Sequence, residues 1–399
     1  MGNAITTVRF RGDVEAERRL REDESLRGSL GSACWKSSSR DSRRRLLAGA
    51  VRVQPGLVPA AWRAAERVRE RSGDGTRIEL YVHASPEINA AVTCGGDRLL
   101  VILTSAAVER LDEEELSFVL GHELGHGVYG HLGMPTGAAL RGMSARDAMR
   151  VMAWQRAAEV SADRAGLLCC GSAEAATSAL FKSLSGLSLA GRRVDGAEFA
   201  EQWSELAGEV AMGEGAGEWA ATHPFTPLRA RALLHYWESD QAGAMIAGCG
   251  GARPLEEADR AVSSMLAMMD PLAEERRGLA DPVLEPFVLW GGLAVALADG
   301  TMHRRELENL RSIVEEGALR SALAERPTVD SCCERFAEAR ARRARPLSAL
   351  DLTRVFGALS AVAGADGMVA AEETGVIERL ASACGVSGVF VERVLARAA

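Results

Sequence analysis

Five residues constrain this chain more than any others: His122-Glu123-Leu124-Gly125-His126. They follow Asp112-Glu113-Glu114-Glu115, an acidic run suited to the positive end of a helix dipole. An apolar stripe of Leu116, Val119 and Leu120 lies between. The pattern predicts one helix running from the acidic start through both histidines. Residues four apart share a helix face, so the two imidazoles can reach one ion. Glu123 is offset around the helix, where it can reach a water on that ion rather than the ion itself. A general base needs that position. The alternative is a surface helix whose histidines are satisfied by other partners.

Zinc engaged in hydrolysis takes three protein ligands and keeps a fourth position open. The best source of a third ligand is Ala158-Glu159-Val160-Ser161-Ala162-Asp163-Arg164. Glu159 and Asp163 are four apart and share a face if this segment is helical. Glu159 can then complete a site of two histidines and one carboxylate. Asp163 can accept a hydrogen bond from the outer ring nitrogen of a ligand histidine and so fix its tautomer. On spacing alone these acids can equally be a solvated helix face beside Arg164. His131 follows His126 by five residues and cannot share its helix face cleanly, so a supporting role is expected for it.

The rest of the chain organises around this centre. Residues 1 to about 72 read as helical, with one break at Gln54-Pro55-Gly56. Arg77–His83 alternates as a strand does, and Leu99–Thr104 is a second strand, so a hairpin or small sheet is expected. Helices follow over 145–170 and 173–211, interrupted near Gly191, with a glycine-rich break at 213–217 before Trp219. Gly248–Pro254 is the best linker. Beyond it, two similar segments recur 67 residues apart: an apolar helix, Ala298-Asp299-Gly300 and then Glu306, and again Ala365-Asp366-Gly367 and then Glu373. This reads as an internal duplication in an all-helical domain.

Composition narrows the partners. A formal net charge of −8 gives no general attraction to nucleic acid or anionic membranes, so neither is expected. No apolar run reaches the ~20 residues that span a bilayer; the longest, Phe287–Ala298, reads as a buried helix. No secretory leader is visible, and the 8 cysteines form no framework or CxxC array. The expected setting is a reducing bacterial cytoplasm. Arg, Ala and Gly dominate while Lys36 and Lys182 are the only lysines, which suits a GC-rich genome.

His122–His126 with the downstream Glu159-x-x-x-Asp163 resembles the HtpX-like and CAAX-prenyl-endopeptidase family of zinc metallopeptidases. The resemblance implies that His122, His126 and Glu159 bind one zinc, that Glu123 is the catalytic base, and that Asp163 supports a ligand. Further matches lie at Ser85–Ala90, where an Asn-Ala pair begins the edge near the family's cleft, at Leu111–Gly121, and at Thr222-His223-Pro224 followed by Arg229. By that resemblance His223 stabilises the developing oxyanion, and Arg229 holds a neighbouring acid or the helix around the site. The other reading of His223 is a helix-entry residue before Pro224. Only 32 residues, Arg146, Asp147 and Arg150 among them, separate His126 from Glu159. That leaves no room for the membrane helices of some relatives and argues against a membrane-buried substrate. The C-terminal half resembles the TerB-like (tellurite-resistance-type) helical domain, through Asp299-Gly300 with Glu306 and Asp366-Gly367 with Glu373. The spacing also matches the end of a calcium-binding EF-hand loop, but Val295, Leu297, Val362 and Gly364 supply no side-chain oxygens, so a glycine-ended helix followed by an acidic helix start without a ligand is expected instead.

The expected fold class is α+β and mostly helical, a gluzincin-type peptidase domain with a small sheet followed by an all-α bundle. The expected domains are an N-terminal helical extension over 1–50, a zinc metallopeptidase domain over 51–250 and a TerB-like domain over 255–399. The expected function is a zinc metalloendopeptidase acting on protein or peptide substrates, with a protein partner for the C-terminal domain. The alternatives are a non-catalytic zinc scaffold and a stress-response protein acting through its C-terminal half.

Overall fold

A computed structural model of the chain describes residues 4–23, 26, 39–135, 140, 143, 145–189, 192–211, 223–270, 284–343, 347, 349–366 and 369–385. The 213–217 break, Gly191, Trp219, Thr222 and Gly367 of the sequence reading lie outside these residues. The chain separates into two compact units, Met1–Pro271 and Leu272–Ala399.

The first unit begins with helices α1 (Ala4–Thr7), α2 (Arg11–Glu22) and α3 (Ser39–Gly49). Strand β1 (Val51–Arg52) and helix α4 (Pro59–Ser72) lead into β2 (Arg77–His83), β3 (Ala90–Cys94) and β4 (Arg98–Thr104). Among the described residues, helices α5 (Ser105–Arg110), α6 (Glu113–Val128), α7 (Ala145–Cys170), α8 (Ala173–Ser185), α9 (Gly196–Ala211), α10 (Thr226–Trp237), α11 (Asp240–Met245) and α12 (Leu255–Met268) follow.

The four strands form one sheet in the order β1-β2-β4-β3. Both strands expected from the sequence are present and adjacent, but they pair in parallel, Arg77 opposite Arg98 through His83 opposite Thr104. They are not a hairpin because β3 runs back between them and takes the outer edge of β4, antiparallel. Strand β1 falls in a stretch expected to be helical. Gln54 precedes Pro55, which disfavours helix there, and the extended Val51 and Arg52 pair with Val82 and Tyr81. Leu99, Leu100, Val101 and Leu103 are all buried, as a strand covered on both faces requires.

Helix α6 starts where the acidic run predicts. The Asp112 carboxylate accepts from the backbone N–H groups of Glu114 and Glu115, both at 2.9 Å. Glu115 returns the interaction by accepting from the Asp112 N–H at 2.8 Å. This reciprocal cap satisfies N–H groups that a helix start otherwise leaves orphaned. Glu115 is buried and is neutralised by Lys182 Nζ at 2.7 Å, with Ser178 Oγ donating at 2.6 Å.

Helices α6 and α7 meet along a seam of small residues. A Cβ placed on Gly121 would lie 2.6 Å from Cys169 Cβ, and one on Gly125 would lie 2.9 Å from Ala165 Cβ. A Cβ on Gly166 would lie 2.6 Å from the Phe118 carbonyl oxygen. Non-bonded carbons rest at ~3.5–4.0 Å, so only glycine permits this approach. The seam brings the middle of α7 against the histidine face of α6.

The N-terminal residues are built into the hydrophobic clusters of this unit. Ile5, Val8, Phe10 and Leu20 are buried. The Phe10 N–H donates to Ser161 Oγ on α7 at 3.1 Å. Gly248–Pro254 is tied into this unit too: the Arg253 N–H donates to the Glu238 carbonyl and the Asp240 N–H to the Arg253 carbonyl. Helix α12 then packs Val262 and Met265, with Met269 just past its end, beside Trp203 and Leu228, and the division between units falls at Pro271–Leu272.

The described helices of the second unit are α13 (Glu285–Ala296), α14 (Arg304–Arg311), α15 (Glu316–Ala324), α16 (Val329–Ala341), α17 (Ala349–Ala363) and α18 (Ala371–Ala383). Phe287, Leu293, Phe336, Phe356, Leu359 and Ile377 form its core. The two similar segments behave alike. Glu306 accepts from the His303 N–H at 3.0 Å to start α14, and Glu373 accepts from the Ala370 N–H at 2.6 Å to start α18. Both carboxyls are buried. Burial, with a hydrogen bond to Glu373, pushes the Glu306 carboxyl up to about 7. Among the described residues, no helix is long and apolar enough to cross a membrane.

Candidate metal centre

The face shared by His122 and His126 on α6 meets Glu159 on α7. The two Nε2 atoms are 3.1 Å apart. His122 Nε2 is 3.6 Å from Glu159 Oε2, and His126 Nε2 is 3.3 Å from Glu159 Oε1. A tetrahedral ion with ligands at ~2.0–2.1 Å separates its donors by about 3.3–3.4 Å. The three groups therefore stand at separations near the edge lengths of such a polyhedron, each histidine meeting a different oxygen of Glu159. Among the described residues they are the one cluster of this kind. Glu159 Oε2 is buried without a hydrogen-bond partner. A buried carboxylate oxygen that makes no hydrogen bond is costly, and a cation bound there would add to the charge compensation it has from the guanidinium of Arg229 at 3.5 Å. Two imidazoles and a carboxylate are a donor set suited to zinc.

Each ligand is held from behind. His122 Nδ1 is 2.9 Å from Asp163 Oδ1. Arg229, on α10, grips Asp163 with two hydrogen bonds, Nε to Oδ2 at 2.9 Å and Nη2 to Oδ1 at 2.6 Å. Its Nη1 is 3.5 Å from Glu159 Oε2. Arg229 therefore sits between the two acids. Burial alone would raise the carboxyls of Glu159 and Asp163, but Arg229 and the histidines outweigh it and hold both below the usual range, Glu159 well below. Burial lowers the His126 imidazole, yet its hydrogen bond to Glu159 and the charges of Glu159 and Glu123 raise it overall. Arg229 is pushed further up by the same two acids against the effect of its burial.

Glu123 is buried one position beyond His122 on α6. His223 is two-thirds exposed, with Nε2 3.5 Å from Glu159 Oε1, at the open side of the cluster. It does not begin a helix: α10 starts at Thr226, with Pro227 in its first turn. All seven residues singled out from the sequence thus come from three helices and one loop that converge here.

Behind His126 stands His131, expected from the sequence to play a supporting role, and behind His131 an acid that the sequence did not announce. His126 Nδ1 is 3.0 Å from His131 Nδ1, and His131 Nε2 is 3.1 Å from Asp13 Oδ2 on α2. Burial lowers the His131 imidazole despite the pull of Asp13. An Asp 118 residues away leaves no periodic signal that could have announced it.

The family model of Peptidase family M48 matches residues 63–141 and 133–237. A chloroplastic plastoglobule-localized metallopeptidase 48 of Arabidopsis thaliana is 30% identical over 173 residues. That match covers 39% of this chain and 50% of the relative, so the chain spans about half of that protein's length. No solved structure matches. The matched segment contains His122, Glu123, His126, Glu159, Asp163, His223 and Arg229 but not Asp13, and the matches support a peptidase of the metal-dependent kind.

Proposed function

We propose that the M48-like segment makes this chain a zinc metalloendopeptidase, one zinc being held by His122, His126 and Glu159. The observation that carries the reading is the cluster itself: two imidazoles and a carboxylate within reach of one ion, with a buried carboxylate oxygen that makes no hydrogen bond. When bound, zinc supplies Lewis acidity to a substrate carbonyl and to water. The chain's own residues do the rest. Glu123 takes a proton from the attacking water and delivers it to the leaving amine. His223, exposed beside Glu159, donates a hydrogen bond to the oxygen on which charge develops. Asp163 accepts from His122 Nδ1 and so keeps Nε2 free for the ion, while Arg229 locks Asp163 in place.

The substrates are proteins or peptides outside the bilayer. The 32 residues between His126 and Glu159 include the first half of α7, which supports this. We further propose that the second unit is a TerB-like module that binds a protein partner. The proposed setting is a reducing bacterial cytoplasm. Among the described residues no cysteine is in a disulfide, and burial pushes the thiols of Cys170 and Cys332 up to about 12.

The test is Glu123→Gln. It should bind zinc as the wild type does and lose cleavage of an unfolded protein substrate by at least ~100-fold. Wild-type turnover in that variant would remove Glu123 from the mechanism.

A further inference from the structure

We propose that Asp13, on the N-terminal helix α2, is a positioning residue of the metal centre, fixing the ring of the ligand His126 through His131. This deepens the zinc reading and rests on it. For His126 Nε2 to face the ion with a lone pair, its proton must sit on Nδ1. That proton needs an acceptor, and His131 Nδ1 stands 3.0 Å away. His131 Nδ1 accepts only if His131 carries its own proton on Nε2. His131 Nε2 is 3.1 Å from Asp13 Oδ2, which can accept it. One arrangement of protons satisfies the whole chain of contacts, and Asp13 dictates it.

Asp13 is fitted for that task. It is fully buried, and every group around it donates. Arg9 gives Nε at 2.7 Å and Nη2 at 3.1 Å. Trp154 Nε1 donates at 2.9 Å and Ser161 Oγ at 2.7 Å. An acceptor-only carboxylate in a ring of donors has no freedom to reverse the polarity. The other ligand is built the same way but one link shorter: His122 Nδ1 meets Asp163, which Arg229 holds. Each ligand histidine is thus backed by an aspartate gripped by an arginine. In one case the aspartate comes from α7; in the other it comes from α2, more than a hundred residues earlier. Without Asp13, His131 can place its proton on Nδ1. Two N–H groups would then face each other at 3.0 Å, and His126 would be driven to the tautomer that blocks the ion.

The test uses the full chain with three substitutions: Asp13→Asn, His131→Phe and His131→Asn. An Asn amide oxygen can stand near the place of the imidazole Nδ1 and accept from His126; a Phe ring cannot. Two readouts are taken beside thermal stability: affinity for zinc in competition with a chromophoric chelator, and imidazole nitrogen NMR of metal-free protein at about pH 9, where histidines are neutral. His131→Phe should weaken zinc binding about 10- to 100-fold and move His126 away from the Nδ1–H form. His131→Asn should keep both within a few-fold of wild type, although Asp13 loses the same contact. Asp13→Asn should shift the tautomer with His131 still present; if it fails to fold, the His131 pair decides. Equal behaviour of the Phe and Asn variants, or an unchanged His126 tautomer in both His131→Phe and Asp13→Asn, would overturn the proposal. If wild type takes up no zinc, the metal reading fails, and the NMR comparison still decides whether Asp13 orients His126.

Discussion

Substituting Gly125 by Ala adds one methyl group to the seam that brings the ligands together. The new Cβ would stand 2.9 Å from Ala165 Cβ and 3.2 Å from Ala162 Cα. Relaxed carbon contacts need ~3.5–4.0 Å, so the helices must part locally by roughly 0.5–1 Å. Ligand distances tolerate only about 0.2 Å, and Glu159 reaches the histidines across this same seam. Overpacking of this kind costs about 1–3 kcal/mol. If that strain falls on the bound state, zinc affinity drops on the order of 10- to 100-fold. Alanine's better helix propensity returns at most ~1 kcal/mol to stability and nothing to the geometry. The assay is chelator competition for zinc on the variant, with Gly49→Ala as control, since a Cβ on Gly49 meets nothing within 4 Å. Adding Ala165→Gly to Gly125→Ala removes the nearer clash and should restore most of the affinity. Wild-type zinc affinity in Gly125→Ala alone, or no rescue in the double variant, would refute the claim that the seam sets the site.

Three further outcomes follow from the same structure. The Glu306 carboxyl is raised from an ordinary 4.5 to about 7, so its protonated form favours the folded second unit. That contribution is present below about pH 4.5 and is lost as pH rises through about 7. Hydrogen exchange over residues 304–311 and 371–383 should accelerate across that window and flatten in Glu306→Gln; faster exchange toward acid would contradict it. Lys182→Met strands the buried Glu115 carboxylate and should cost about 3–5 kcal/mol in urea unfolding, whereas Lys182→Met with Glu115→Leu should cost much less. A single variant as stable as wild type would show that the pair is not buried as described. Thr328→Ala, which removes the side chain capping Ser331 N–H at the start of α16, should destabilise by ~1 kcal/mol and leave zinc binding untouched; an altered zinc affinity would count against the separation of the two units.

The parts of this architecture that could be read in advance are those written in local periodicity. The acidic start of α6, the i,i+4 histidines and the i,i+4 pair Glu159 and Asp163 each specify a face of one helix, and helical geometry did the rest. Strands β2 and β4 were visible as alternating or continuous apolar runs. Their parallel pairing was not, because it depends on where β3 goes, and a five-residue strand carries little signal of its own. Helix α12 reads as amphipathic, but amphipathicity does not say which core it joins; Val262 and Met265 chose the first unit. Gly121, Gly125 and Gly166 look like weaknesses in helices until the facing helix is known. Asp13 is the extreme case. It occupies an ordinary position on a charged helix, and only the tertiary fold brings it to His131.

The central claim is that His122, His126 and Glu159 hold one zinc, and elemental analysis of the purified full chain tests it most directly. Wild type beside His126→Ala and Glu159→Ala should show one zinc per chain, lost or much depleted in both variants. A wild-type chain that carries no zinc after growth and incubation with zinc would contradict the account.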